Sequence, residues 1–109
     1  MKLHKISEKK QQLAGERSLF EAIAHLKNAE EVQQFFHDLC TPTEIQAMAD
    51  RWSVVALIKA GKPYRKIHEQ TQVSVTTIGR VARCLLLGEG GYNLIYERLN
   101  TKSQKSKDK

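Results

Sequence analysis

Apolar residues recur along this chain at spacings of three and four, the period of helices that bury one face. Leu19, Phe20, Ile23 and Leu26 mark a first helix over Glu16–Lys27. Asn28 is a helix-capping residue with Glu31 three positions on, and Val32, Phe35, Phe36 and Leu39 give the second helix its apolar face. Thr41-Pro42-Thr43-Glu44 is a strong start signal, with a Thr cap, Pro in the first helical position and Glu in the third. The helix it opens carries Ile45, Met48, Ala49, Trp52, Val55 and Ala56, and Val54, Leu57 and Ile58 widen the stripe almost all round. A helix apolar on most sides belongs inside an assembly.

Gly61 ends that helix and Pro63 opens the next. The segment YRKIHEQTQVSVTTIGRVAR, Tyr64–Arg83, then reads as two short helices around a tight turn. Ile67 anchors the first, Val73 plugs the turn, and Ile78, Val81 and Leu85 share one face of the second. Gly88, Gly90 and Gly91 break the chain, and Tyr92, Ile95, Tyr96 and Leu99 form a last amphipathic helix. The prediction is an all-α fold of six helices over residues 16–100, preceded by a basic, flexible arm (1–15) and followed by a disordered basic tail (101–109). Six such helices cannot all hide their apolar faces in one small monomer, which predicts a homodimer.

The two-helix segment has the shape of a helix-turn-helix, spanning residues 64–87, in which the second helix enters the DNA major groove. Ser74 is its expected N-cap. Thr76, Gly79, Arg80 and Arg83 fall on the stripe opposite the apolar one, with Thr77 at the rim. Short hydroxyls can approach base edges closely, and arginine grips guanine or phosphate with a planar fork. Tyr64, Arg65 and His68, on the first helix of the pair, are the expected phosphate contacts. Two residues depart from the common pattern. Gln72 stands where many such turns carry glycine, and His68 where many carry alanine.

Charge sharpens this. The 109 residues carry a formal net charge of +6, with a pI of about 9.5. Residues 16–60 hold four basic and seven acidic side chains, whereas residues 62–87 hold five basic and one acidic. The positive field sits on the segment expected to meet nucleic acid. The front of that segment has no aromatic stacking platform, which disfavours RNA. No apolar run approaches the roughly 20 residues of a membrane span, and the N-terminus lacks the apolar stretch of a signal peptide. Cys40 and Cys84 have no zinc-finger spacing, which suits a reduced, cytoplasmic protein, and Cys84 is expected to be a buried thiol. His37 and Cys40 would make half a metal site with no visible second half, so no metal is expected. No Ser–His–Asp or Cys–His arrangement falls at helical spacing, so an enzyme is the weakest reading. A helical protein-interaction module that binds an acidic protein is the alternative to a DNA-binding regulator.

Three stretches carry a family likeness: FFHDLCTPTEIQAMADRW, GKPYRKIHEQTQVSVTTIGRV and LLLGEGGYNLIYERL. Together they resemble the Trp repressor superfamily, and its YerC/YecD-type branch more than the tryptophan-operon repressor. The resemblance implies an intertwined homodimer with projecting helix-turn-helix reading heads. It also implies an operator-binding transcriptional regulator, most simply a repressor acting on a palindromic site in double-stranded DNA. In the tryptophan repressor two arginines embrace the co-repressor, and Arg51 and Arg80 occupy the matching positions here. That repressor has glycine after its second arginine, where the indole needs space. This chain has Val81, a stiff β-branched residue, with Trp52 adding bulk beside Arg51. Tryptophan is therefore not expected as the ligand. A smaller co-repressor, or none, stays open, and no cofactor is required.

Overall fold

The computed structural model describes residues 2–107 of the chain, with side chains from 7 to 101. These residues form six helices and no strand, and the third helix is interrupted once, giving seven segments: α1 (Lys2–Ala24), α2 (Ala29–Leu39), α3 (Pro42–Ser53), α4 (Val55–Lys59), α5 (Tyr64–Thr71), α6 (Val75–Leu87) and α7 (Gly91–Lys107). They divide into two compact units between Pro42 and Thr43.

The first unit holds α1 and α2. The Asn28 side chain accepts the Glu31 backbone N–H at 2.9 Å, and the Glu31 carboxylate reaches back to accept the Lys27 N–H at 2.9 Å. One donor that the start of the helix leaves orphaned, and one in the linker just before it, are thereby satisfied. Leu19, Ile23, Leu26, Phe35 and Phe36 are half-buried, with the two Phe rings edge to face, but none of the unit's described residues is fully buried. Leu13 and Phe20 lie more than half exposed.

The second unit holds the core. Val54, Val55, Ile67, Val73, Ile78 and Val81 cluster at 5% exposure or less, with Leu57, Ile58, Leu85, Tyr92 and Tyr96 packed around them. Full burial of such a side chain is worth about 1.5–3 kcal/mol, so this cluster is what fixes α4, α5 and α6 on one another. α3 opens at Pro42 with Glu44 in its first turn. At its end Ser53 Oγ donates to the Asp50 carbonyl at 2.7 Å, a back-bond that competes with the helical ladder. Val54 follows at φ −92°, ψ −9°, and α4 restarts from its carbonyl. The hydrophobic pattern alone predicts one uninterrupted helix here. The break turns Val54 and Val55 together into the core. Gly61, at φ +80°, closes α4: its N–H reaches the Ile58 carbonyl, and the Lys62 N–H reaches the Leu57 carbonyl. That double bond pattern needs a left-handed residue.

α7 is latched to the unit at several points. Tyr92 stacks on Trp52 with ring centroids 6.3 Å apart, Lys59 sits 5.0 Å over the Tyr96 ring, and Asn93 Nδ2 donates to the Leu85 carbonyl near the end of α6.

Three expectations need correction. The arm at 1–15 is helical from Lys2, continuous with α1, and the tail at 101–109 is helical to Lys107; Met1, Asp108 and Lys109 lie outside the described residues. The arm has no proline, and its Lys, Gln, Glu, Leu and Ala are good helix formers, so charge alone does not break the helix. Cys84 is exposed rather than buried, because it lies off the stripe made by Ile78, Val81 and Leu85. No helix among the described residues is long and apolar enough to cross a membrane.

Candidate nucleic-acid interface

The helix-turn-helix is built around Val73, whose side chain is buried in the turn between α5 and α6. Its backbone is held on both sides. The Val73 N–H donates to Thr71 Oγ1 at 3.1 Å, and the Thr71 hydroxyl donates in turn to the Ile67 carbonyl at 2.7 Å. The Val73 carbonyl accepts from His68 Nδ1 at 2.7 Å. The intervening Gln72 adopts the left-handed region, φ +66°, with its N–H on the His68 carbonyl. It is the single non-glycine residue with positive φ among those described. The two departures noted in the sequence thus fall inside one device. Gln72 takes a conformation that favours glycine, and His68 supplies a side-chain bond that ties the turn.

Ser74 caps α6 as expected. Its Oγ accepts the Thr77 N–H at 3.1 Å and donates to Thr77 Oγ1 at 2.9 Å. The back of α6, Ile78, Val81 and Ala82, is buried. Thr76, Arg80 and Arg83 are exposed, and neither arginine has an ion-pair partner among the described residues. Gly79 is half-buried, and the Tyr64 ring lies beside it: a Cβ built there would stand 4.0 Å from Tyr64 Cε2. That is ordinary contact, so packing does not demand glycine at this position.

On α5, Tyr64, Arg65 and His68 are exposed, and Arg65 pairs with Glu69 at 3.5 Å along the helix. Such a surface pair holds an arginine loosely, typically by less than about 1 kcal/mol, and leaves it free to exchange for another anion. The structure therefore places all the expected helix-turn-helix positions on two packed helices and their turn, but gives Ser74 and Thr77 mainly to the cap and His68 mainly to the turn. Thr71 is a contributor that the sequence pattern does not single out. A hydroxyl at the last position of α5, two residues before the buried turn valine, is the available signal.

Across residues 14–100, the chain matches the family described as Trp repressor protein. The chain belongs to the Trp repressor family. The Bacillus subtilis strain 168 protein YerC, itself uncharacterised, is 41% identical over 91 residues, covering 84% of this chain and 88% of YerC. A crystal structure from Staphylococcus aureus, described as a candidate Trp repressor, superposes with a TM-score of 0.75 at 44% identity, covering 80% of this chain and 87% of that one. A TrpR-like protein from Eubacterium eligens gives 0.73 at 39% identity, covering 77% and 87%.

Of the two arginines that the resemblance matches to a co-repressor pair, Arg51 is half-buried on α3 and Arg80 is exposed on α6, with no shared hydrogen-bond or ion-pair partner among the described residues. Val81 is 1% exposed and belongs to the core cluster, and Trp52 is engaged by Tyr92. No group of three or more His, Cys, Asp or Glu side chains gathers among the described residues in a way that could hold a metal.

The left-handed turn gives a direct expectation. Gln72→Gly should stabilise the fold by about 0.5–1 kcal/mol, because glycine adopts positive φ without a Cβ clash. A denaturant midpoint raised at unchanged slope is the measurement, and a lowered midpoint would show that the Gln72 side chain, which donates to the Glu69 carbonyl at 3.1 Å, matters more than its backbone.

Proposed function

We propose that this chain is a sequence-specific DNA-binding transcriptional regulator that acts as a homodimeric repressor on a palindromic operator in the cytoplasm. Family membership supports the regulator class. The observation that carries the reading is the two-sidedness of α6. One side is sealed in the core through Ile78 and Val81, while the other holds Thr76, Arg80 and Arg83 out in solvent without ion-pair partners among the described residues. A helix fixed from behind and basic in front is suited to the major groove. Arg65, released from Glu69, and Tyr64 serve as backbone contacts that set the helix in register. The homodimer is supported by apolar side chains that a single chain leaves bare, among them Phe20, Leu39, Leu94 and Leu99. Two heads related by a two-fold axis call for half-sites about one helical turn, roughly 34–36 Å, apart. Val81 fills its place in the core, so tryptophan is not the expected co-repressor, and a smaller ligand on Arg51 and Arg80 is the form a co-repressor would take.

Leu86 and Leu87, 84% and 77% exposed at the end of α6, favour a second reading, a protein-interaction surface. Selection from a random duplex pool, with and without a panel of amino acids, separates the two. The proposal requires recovery of a palindromic motif that tryptophan does not sharpen. Recovery of no motif would leave the interaction module.

Phosphate and base contacts have separate signatures. Arg65→Ala and Arg83→Ala should each lower the magnitude of the log-affinity against log-salt slope by about 1 if each meets one phosphate, whereas Thr76→Ala should shift base preference and leave that slope. Unchanged slopes in both arginine variants would remove the phosphate assignment. Gly79→Ala sets stability against binding. Space beside Tyr64 admits the methyl group, so the variant should gain up to about 1 kcal/mol of stability from helix propensity. It should also bind DNA more weakly, because a close backbone approach is lost. A stabilised variant with full affinity would show that α6 does not approach DNA at this glycine.

A further inference from the structure

A backbone carbonyl has no proton to give, so the 2.7 Å contact between His68 and the Val73 carbonyl requires Nδ1 to be the donor. In a neutral imidazole only one nitrogen carries a proton. While the turn is closed, the neutral ring must therefore present a bare lone pair at Nε2. A phosphate oxygen is also a lone-pair acceptor, and the two repel. Only the doubly protonated ring keeps the turn bond at Nδ1 and offers N–H and positive charge at Nε2. From this we propose that His68 makes DNA binding proton-linked: each reading head takes up a proton at His68 Nε2 when a backbone phosphate docks there. The inference rests on the DNA-binding reading above and adds its regulation.

The surroundings leave the ring open to act this way. His68 is exposed, one helical turn after Tyr64. On its own helix the other ionisable groups are Tyr64, Arg65, Lys66 and Glu69, and Arg65 is paired with Glu69. The turn itself, Gln72-Val73-Ser74, has none. The ionisable groups on the segments packed against α5 are Arg80, Arg83 and Cys84 of α6 and Lys59 of α4, the last lying over Tyr96. None of these is hydrogen-bonded or ion-paired to the His68 ring among the described residues, so no carboxylate competes for Nε2. An approaching phosphate would be its first anionic partner.

Proton uptake makes affinity rise as pH falls and drop as pH rises, by up to about tenfold per pH unit for each head engaged. Phosphate contacts are blind to sequence, so a labelled random-sequence duplex at fixed salt serves as the probe. The informative variant is His68→Asn, whose amide nitrogen stands in for Nδ1 and can hold the Val73 carbonyl while nothing replaces Nε2. The expected result is a pH-dependent affinity in the parent that flattens in His68→Asn, with the parent falling to the variant's affinity or below it at the alkaline end. The other histidines remain in the variant, so any dependence they cause would persist. Equal pH slopes in the two proteins would overturn the proposal, while absence of DNA binding at every pH would overturn the function it rests on. Nitrogen-15 NMR of the free protein at about pH 8 tests the tautomer without DNA or mutation. Protonation at Nδ1 is expected, and a neutral ring protonated at Nε2 would overturn the proposal.

Discussion

The geometry of the candidate DNA-binding face depends on one buried valine in a turn. Val73 has to reach the core shared by α4, α5 and α6, and the chain has only Gln72 and Ser74 on either side with which to bring it there. A left-handed residue reverses the chain, and the polar groups exposed by that reversal must find partners. They do so locally: Thr71 takes the Val73 N–H, His68 takes the Val73 carbonyl, and Ser74 takes the Thr77 N–H, one of the donors that the start of α6 leaves free. Burial of one apolar side chain and satisfaction of its two backbone groups thus set the angle between the helices. A shift of Val73 would move Thr76, Arg80 and Arg83 together, because all ride on the helix that begins two residues later.

Much of this is legible in the sequence, for reasons that differ from element to element. Period-three-and-four apolar spacing finds α2 and α6, the two-helix motif pattern anchored on Ile67 finds α5, and side-chain chemistry finds the ends: Asn28 and Ser74 stand out as caps, and Pro42 as the first residue of α3. Where sequence and structure differ, the deciding interaction is one that periodicity does not register. The break at Val54 falls where a serine hydroxyl bonds to a carbonyl three residues back. The helix over residues 2–15 has no clear apolar stripe, so periodicity suggests a flexible arm even though its residues favour helix. Cys84 neighbours Leu85 in sequence, but a helix turns by about 100° per residue, and one position is enough to leave the core. At the candidate site, residue types place Thr76, Arg80 and Arg83 on an exposed front of α6, whereas Gly79 on the same stripe is half-buried. They cannot show that His68 and Thr77 are already committed to partners within the motif.

Commitment to partners also decides how far the chain follows its family. The positions that build the helix-turn-helix are present, and its turn and cap are hydrogen-bonded. Arg51 and Arg80, which the resemblance matches to the tryptophan repressor's co-repressor arginines, are present, with Val81 absorbed into the core and Trp52 into a stack with α7. A buried β-branched residue is among the harder things for a ligand to displace, since opening that space costs the packing of Ile67, Ile78 and Val54 as well. The presence of Arg80 is then more simply explained by what lies in front of α6 than by what lies behind it.

Control of such a head follows the same division between front and back. A ligand that alters DNA binding must bind two arrangements of the head with different affinity. Behind α6 the arrangement is overdetermined, by a closed apolar cluster, the Asn93 bond to the Leu85 carbonyl and the aromatic latch of α7. In front, the groups are polar, exposed and held by single hydrogen bonds or a loose ion pair. The cheaper degrees of freedom are therefore protonation and partner exchange at the DNA-facing surface, not displacement of the helix. A regulator built this way would tune how tightly each head grips the phosphate backbone while leaving the position of α6, and hence the sequence it reads, unchanged.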